Sequence, residues 1–109
     1  MNRNPVLISE LIAEAKEDEV GLWLIVARLR NDFGIIDPDT IRARTLDCVR
    51  ELLDSGQVVA GYYKPDGSGV APWNMPIQEV VSRIAREWDE LGHEPDIGEI
   101  VVFLGRHGY

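Results

Sequence analysis

The chain has few of the residues on which most protein chemistry is built. Among its 109 residues there is one cysteine, Cys48, and there are two histidines, His93 and His107. A lone cysteine excludes an intrachain disulfide and fits a reducing compartment. Neither histidine has a cysteine nearby, and a structural zinc site takes about four clustered ligands. No apolar run is long enough to span a bilayer. Neither a phosphate loop nor a dinucleotide fingerprint occurs. The opening MNRNPVLISELIAEAKEDE interrupts its apolar residues with acids, so it does not read as a secretory leader. The expected location is the cytoplasm.

Positive charge is scarce too. Eleven basic residues face 19 acidic ones, a net charge of −8. Neutralising phosphates supplies most of the affinity in nucleic-acid binding, and this balance works against it. The arginines come in scattered pairs (Arg28 and Arg30, Arg42 and Arg44, Arg83 and Arg86), each with acids close in sequence. No basic stripe with interleaved aromatics is present. The surplus acid either keeps the chain soluble or attracts a basic protein partner.

What is present is a clear order of elements. Hydrophobic residues make up 45% of the chain, enough for one core, so residues 1–109 are expected to form a single domain without a metal or disulfide staple. There is no internal repeat, linker or low-complexity tract. Asn4-Pro5 reads as an N-cap with proline at the first helical position. Leu7, Ile8, Leu11, Ile12 and Ala15 then recur at helical spacing, up to the charged run Lys16-Glu17-Asp18-Glu19. Val20-Gly21 is a short link or a small strand. A second helix is expected over residues 22–32, with Leu22, Trp23, Ile25, Val26 and Leu29 making it apolar on two sides, hence central. Phe33-Gly34 ends it, and Ile35 and Ile36 pack back.

Asp37-Pro38 caps a third helix. Its buried stripe is Ile41, Thr45, Cys48, Val49, Leu52 and Leu53, with Arg44, Asp47, Glu51 and Asp54 mostly outside. Ser55-Gly56 stops it. Residues 57–63 (QVVAGYY) are β-branched and aromatic and read as a strand, the dense turn signal of residues 64–69 follows, and residues 70–73 return. Pro76 fits the first position of a fourth helix, with Met75 or Asn74 at the cap. Ile77, Val80, Val81, Ile84, Trp88 and Leu91 keep the helical period to Gly92. Glu79 and Arg83 are correctly spaced for an ion pair. Residues 95–104 read as a turn and a strand, pairing with the hairpin or with the Val20 link. Residues 105–109 are expected to be loose.

This order resembles the winged helix-turn-helix superfamily over roughly residues 5–73. The resemblance rests on DPDTIRARTLDCVRELLDSGQVVAGYYKPDGSG, where a helix ending in LLDSG runs directly into VVAGYY. The tail EVVSRIAREWDELGHEPDIGEIVVFLG is similar to that of small, uncharacterised bacterial winged-helix proteins. The resemblance implies an α+β fold: a three-helix core and a β-hairpin wing, here with an added C-terminal helix and short strand. It implies contacts through the third helix and wing but names no ligand. The charge of that third-helix segment is unusual for a DNA reader. Between residues 37 and 56 the acids Asp37, Asp39, Asp47, Glu51 and Asp54 outnumber Arg42, Arg44 and Arg50.

The inventory for catalysis is thin. Cys48 falls on a buried helical face, where free cysteine acts as a small hydrophobe. No two carboxylates are spaced as an acid–base pair. Asp66-Gly67-Ser68-Gly69 lacks the alternating acids and final glutamate of a calcium loop. Glu17-Asp18-Glu19 is a solvated charge run. No catalytic residue, cofactor or metal is expected, and the chain does not read as an enzyme. Trp23 and Trp88 are expected in the core. Trp73 either covers the base of the fourth helix or is an exposed interface anchor. Of Tyr62 and Tyr63, one should face inward and the other outward.

Three functions fit. The first is an acidic protein-binding module, in its concrete form a bacterial immunity or inhibitor protein that masks a basic, nucleic-acid-directed toxin. Its contacts would be Asp47, Glu51 and Asp54 on the third helix, Glu87, Asp89 and Glu90 on the fourth, and Trp73. The second is a transcriptional regulator using Arg42, Arg44 and Lys64. The third is a structural subunit of a larger assembly. A basic protein is the expected partner; nucleic acid and membrane are not.

Overall fold

The computed structural model describes residues 5–106. The described residues form four helices and four strands, in the order α1 (Pro5–Glu17), β1 (Val20–Gly21), α2 (Leu22–Phe33), α3 (Pro38–Asp54), β2 (Val58–Tyr63), β3 (Val70–Pro72), α4 (Ile77–Leu91) and β4 (Val102–Gly105). The strands form one antiparallel sheet in the order β1-β4-β2-β3. The fold is α+β. The Asn4 cap lies outside the described residues, as do residues 107–109.

Local chemistry explains most boundaries. At α3 the Asp37 carboxylate accepts from Thr40 N at 2.9 Å and from the Thr40 hydroxyl at 2.8 Å. This satisfies a backbone donor that the helix itself leaves open. At the other end Ser55 N donates to Glu51 O at 3.1 Å, and the Ser55 hydroxyl donates to Leu52 O at 2.6 Å. Gly34 and Gly92 end α2 and α4 in the left-handed conformation, at φ 66° and 78°, where a Cβ would be strained.

The stripe expected on α3 is the buried one: Ile41, Thr45, Cys48, Val49, Leu52 and Leu53. It packs with Leu7, Leu11 and Ala15 of α1, Leu22, Ile25, Val26 and Leu29 of α2, Val80, Val81, Ile84 and Trp88 of α4, and Phe103 of β4. Burying these side chains is the main favourable term in folding. The Thr45 hydroxyl is enclosed with them and has no hydrogen-bond partner among the described residues.

One of the two inner strands is β4, the last in sequence order. β4 pairs with β1 (Val20 opposite Phe103) and with β2 (Ala60 opposite Phe103). The two expected pairings are therefore both made. All four residues of β4 are buried. Gly105, expected in a loose tail, lies against α1: a Cβ there would stand 2.9 Å from Lys16 Cα. Arg106 is also fixed, donating from N to Gln57 O at 2.9 Å and from Nε to Gly56 O at 2.7 Å. These bonds supply partners for carbonyls just beyond α3.

Other expectations are corrected. Pro76 is the cap of α4, not its first residue. It is extended (ψ 152°), and its carbonyl accepts from Glu79 N and Val80 N at 2.9 and 3.0 Å. Trp23 is only partly buried and lies over the backbone of Gly21, where a Cβ would meet its Cδ1 at 2.5 Å. Ile35 packs on the core, but Ile36 is 76% exposed. Tyr62 and Tyr63 are equally exposed, at 39% each. β4 reaches only from Val58 to Gly61 along β2, so the tyrosines sit on an overhang paired with β3 alone. Neither face of that overhang has the core behind it. Their rings meet edge to face at 5.4 Å.

Candidate functional site

The expected contact surface begins with α3. Its exposed positions are Pro38, Asp39, Ala43, Asp47, Arg50 and Asp54, and those from Asp39 onward repeat at helical spacing as one stripe. Three are acids. The single cation among them, Arg50, pairs with Asp47 at 3.4 Å. At the C-terminal end Glu51 and Asp54 line a depression with Arg50 and Ser55, closed on the other side by Pro5, Ile8 and Ser9 of α1.

Four more arginines, Arg28, Arg30, Arg42 and Arg83, are held by carboxylates in the same way. Arg28 reaches Glu10 and Glu14 on α1 and Asp32 on its own helix. These bonds, Asp32 first and Glu10 next, raise its guanidinium above its ordinary pKa. Arg30 pairs with Glu94. Arg42 turns toward α4, 3.1 Å from an Asp89 carboxylate oxygen and 3.2 Å from the Ala85 carbonyl. Arg83 pairs with Glu87 at 2.7 Å rather than with the expected Glu79, and its guanidinium carbon stands 3.9 Å over the Trp73 ring. Trp73 itself is partly buried against the core.

The proposed contact residues are thus distributed. Asp47, Glu51 and Asp54 belong to α3. Asp89 is tied to Arg42, and Glu87 to Arg83. Glu87 and Glu90 line a second depression with Tyr62, Arg86, Leu91, Glu99 and Ile100. Of the residues a DNA reader would use, Arg42 is engaged by α4. Lys64 lies in the hairpin turn, beside a depression shared with Glu19, Ser68 and Val70.

The groups with nucleophilic potential are quiet. Burial pushes the Cys48 thiol up to about 12, and Glu51 and Asp47 add to the effect. A reactive cysteine needs the opposite shift. Tyr63 donates to Glu19 at 2.6 Å, and that bond, with some burial, raises its phenol to about 12. Asp66 accepts from Ser68 N at 2.9 Å within its own turn.

One constellation escaped the sequence reading. His93, Asp96 and Glu99, in the segment between α4 and β4, bring one ligand atom each within 4.8 Å of one another. The signal available was the spacing His-x-x-Asp-x-x-Glu across Pro95 and Gly98. Spacing alone does not show that such a segment folds back on itself. Here Gly98 is left-handed (φ 80°), Glu99 N donates to Asp96 O at 3.1 Å, and the Tyr62 hydroxyl donates to Gly98 O at 2.6 Å. Ile100, at φ 71°, is an uncommon conformation for a β-branched residue. It is bridged by a bond from Val101 N to Glu99 O at 2.9 Å, a strained tight turn.

Among the described residues no helix is long and apolar enough to cross a membrane. None of the protein-family models, curated proteins or solved structures compared with the chain matches it.

Proposed function

We propose that this chain is an acidic protein-binding module on a winged-helix scaffold, of the immunity or inhibitor type, and that it masks a basic, nucleic-acid-directed toxin. The scaffold reading is supported by the element order: helix, short strand, two helices and a hairpin, with α4 and β4 as additions. β4 then separates β1 from the hairpin in the sheet.

One observation carries the functional reading. The solvent stripe of α3 presents Asp39, Asp47 and Asp54 against one cation, Arg50, which is paired with Asp47, while Arg42 of the same helix is drawn to Asp89 on α4. The surface that a winged helix would offer to DNA therefore offers carboxylates. A toxin that binds nucleic acid carries cations where phosphates sit. Carboxylates on that surface attract the same cations, speed encounter and make it sensitive to salt.

The test has two arms. Random duplex DNA at low salt is expected to give no electrophoretic shift. A basic protein co-purifying from the native host is then identified, purified and titrated against the chain. Asp47→Lys combined with Asp54→Lys is expected to lower that affinity at least about tenfold, mainly through the association rate. A DNA shift removed by Arg44→Glu and Lys64→Glu would replace this reading with a transcriptional regulator. An affinity indifferent to both the charge reversals and salt would favour a structural subunit.

A further inference from the structure

We propose that His93, Asp96 and Glu99 form a binding site for a divalent transition-metal cation. The three donor atoms lie within 4.8 Å of one another. The centre of a triangle of that size is at most roughly 2.8 Å from each corner, against about 2.1 Å for zinc to nitrogen or oxygen. His93 and Asp96 are exposed and Glu99 is partly so, and rotation of such side chains closes that gap.

The donor set selects the class of ion. Magnesium and calcium take oxygen ligands, whereas an imidazole with carboxylates suits zinc and its first-row neighbours. Three protein ligands leave one position of a tetrahedral ion open to water. The scaffold exists before any ion arrives. Asp96 N donates to Glu99 Oε1 at 2.7 Å, so the two carboxylate-bearing residues are already joined. His93 Nδ1 lies 2.8 Å from the Glu94 carbonyl. That contact fixes the ring beside the two carboxylates. The Glu94 carboxylate meanwhile pairs with Arg30, fastening this turn to α2. Two carboxylates beside one another repel unless a cation lies between them. His93 Nδ1 is 3.9 Å from Glu99 Oε1, so the ring already stands next to that carboxylate.

The test uses the whole chain, free of any affinity tag, and zinc chloride alone. Calorimetry is expected to show one saturable site that excess magnesium does not displace. The ring resonances of His93 should move on saturation, and the thermal midpoint should rise with zinc. His93→Ala and Asp96→Asn should each weaken binding at least about tenfold with the far-ultraviolet circular dichroism unchanged, whereas His107→Ala should not. Absence of saturable binding would overturn the proposal, as would a site that survives His93→Ala or is lost in His107→Ala. Failure of the toxin-masking reading would leave these outcomes untouched, because no partner protein takes part.

Discussion

The Arg83 guanidinium lies across the Trp73 ring, 3.9 Å from its centre, while its Nε donates to Glu87 at 2.7 Å. One side chain of α4 thereby joins the helix to the segment that leaves β3. Cation and ring attract through the ring quadrupole, and the carboxylate holds the guanidinium in place.

Arg83→Ala is expected to destabilise the fold by about 0.5–1 kcal/mol, the worth of a partly exposed pair of this kind. Arg83→Lys should recover part of that loss. Urea denaturation measures both, and tryptophan emission should shift to the red in the alanine variant as water reaches Trp73.

Thr45→Val should stabilise the protein. The hydroxyl is fully buried and without a partner among the described residues, so the fold bears its desolvation with no bond in return. Replacing it with a methyl group of similar size should raise stability by about 1 kcal/mol. A fall in the urea midpoint would mean that the hydroxyl is bonded after all.

Acid should loosen the start of α3. The Thr40 hydroxyl and, secondarily, the Thr40 amide hold the Asp37 carboxyl below its ordinary value of 3.8. A carboxyl depressed in the folded state stabilises above its unfolded pKa and ceases to do so as pH falls through the folded one. Asp37→Asn keeps a capping oxygen but not the charge. Its urea midpoint should approach the wild-type midpoint below pH 3.8, having lain under it at neutral pH. Parallel curves across the whole range would show that the carboxylate contributes nothing there.

Gly61→Ala should pry the hairpin open. A Cβ at that position would stand 2.5 Å from the Ala71 carbonyl oxygen and 2.8 Å from Val70 Cγ1. Both belong to the neighbouring strand, and the oxygen is backbone that cannot rotate away. The expected loss is about 1–3 kcal/mol, as for other overpacked positions, read by urea denaturation. An unchanged midpoint would mean that β3 yields freely.

Much of the architecture was legible because periodicity and caps agreed. For α3, Asp37-Pro38, the apolar stripe and Ser55-Gly56 all pointed to the same helix, and the structure has it at Pro38–Asp54. The hairpin was legible for the same reason, through QVVAGYY and the turn after it. What failed to show was tertiary. Trp23 has the spacing of a core residue, yet it lies over Gly21 instead. Gly105 looks like a tail residue until α1 is seen beside it. The meeting of His93, Asp96 and Glu99 depends on backbone angles at Gly98 and Ile100 that no periodicity encodes. The charge of the α3 surface was readable, but the withdrawal of Arg42 toward Asp89 required knowing where α4 packs.

The position of β4 between β1 and β2 has a consequence for biosynthesis. A ribosome releases β1 and β2 before β4, the strand that both pair with, has left the exit tunnel. Until residues 102–105 emerge, β1 and the hairpin have no shared strand to dock on, and their open edges are available to other chains. The nascent protein is therefore most exposed to misassociation in the interval before β4 emerges. A chain cut between α4 and β4 should be rescued by a separate peptide carrying the missing strand.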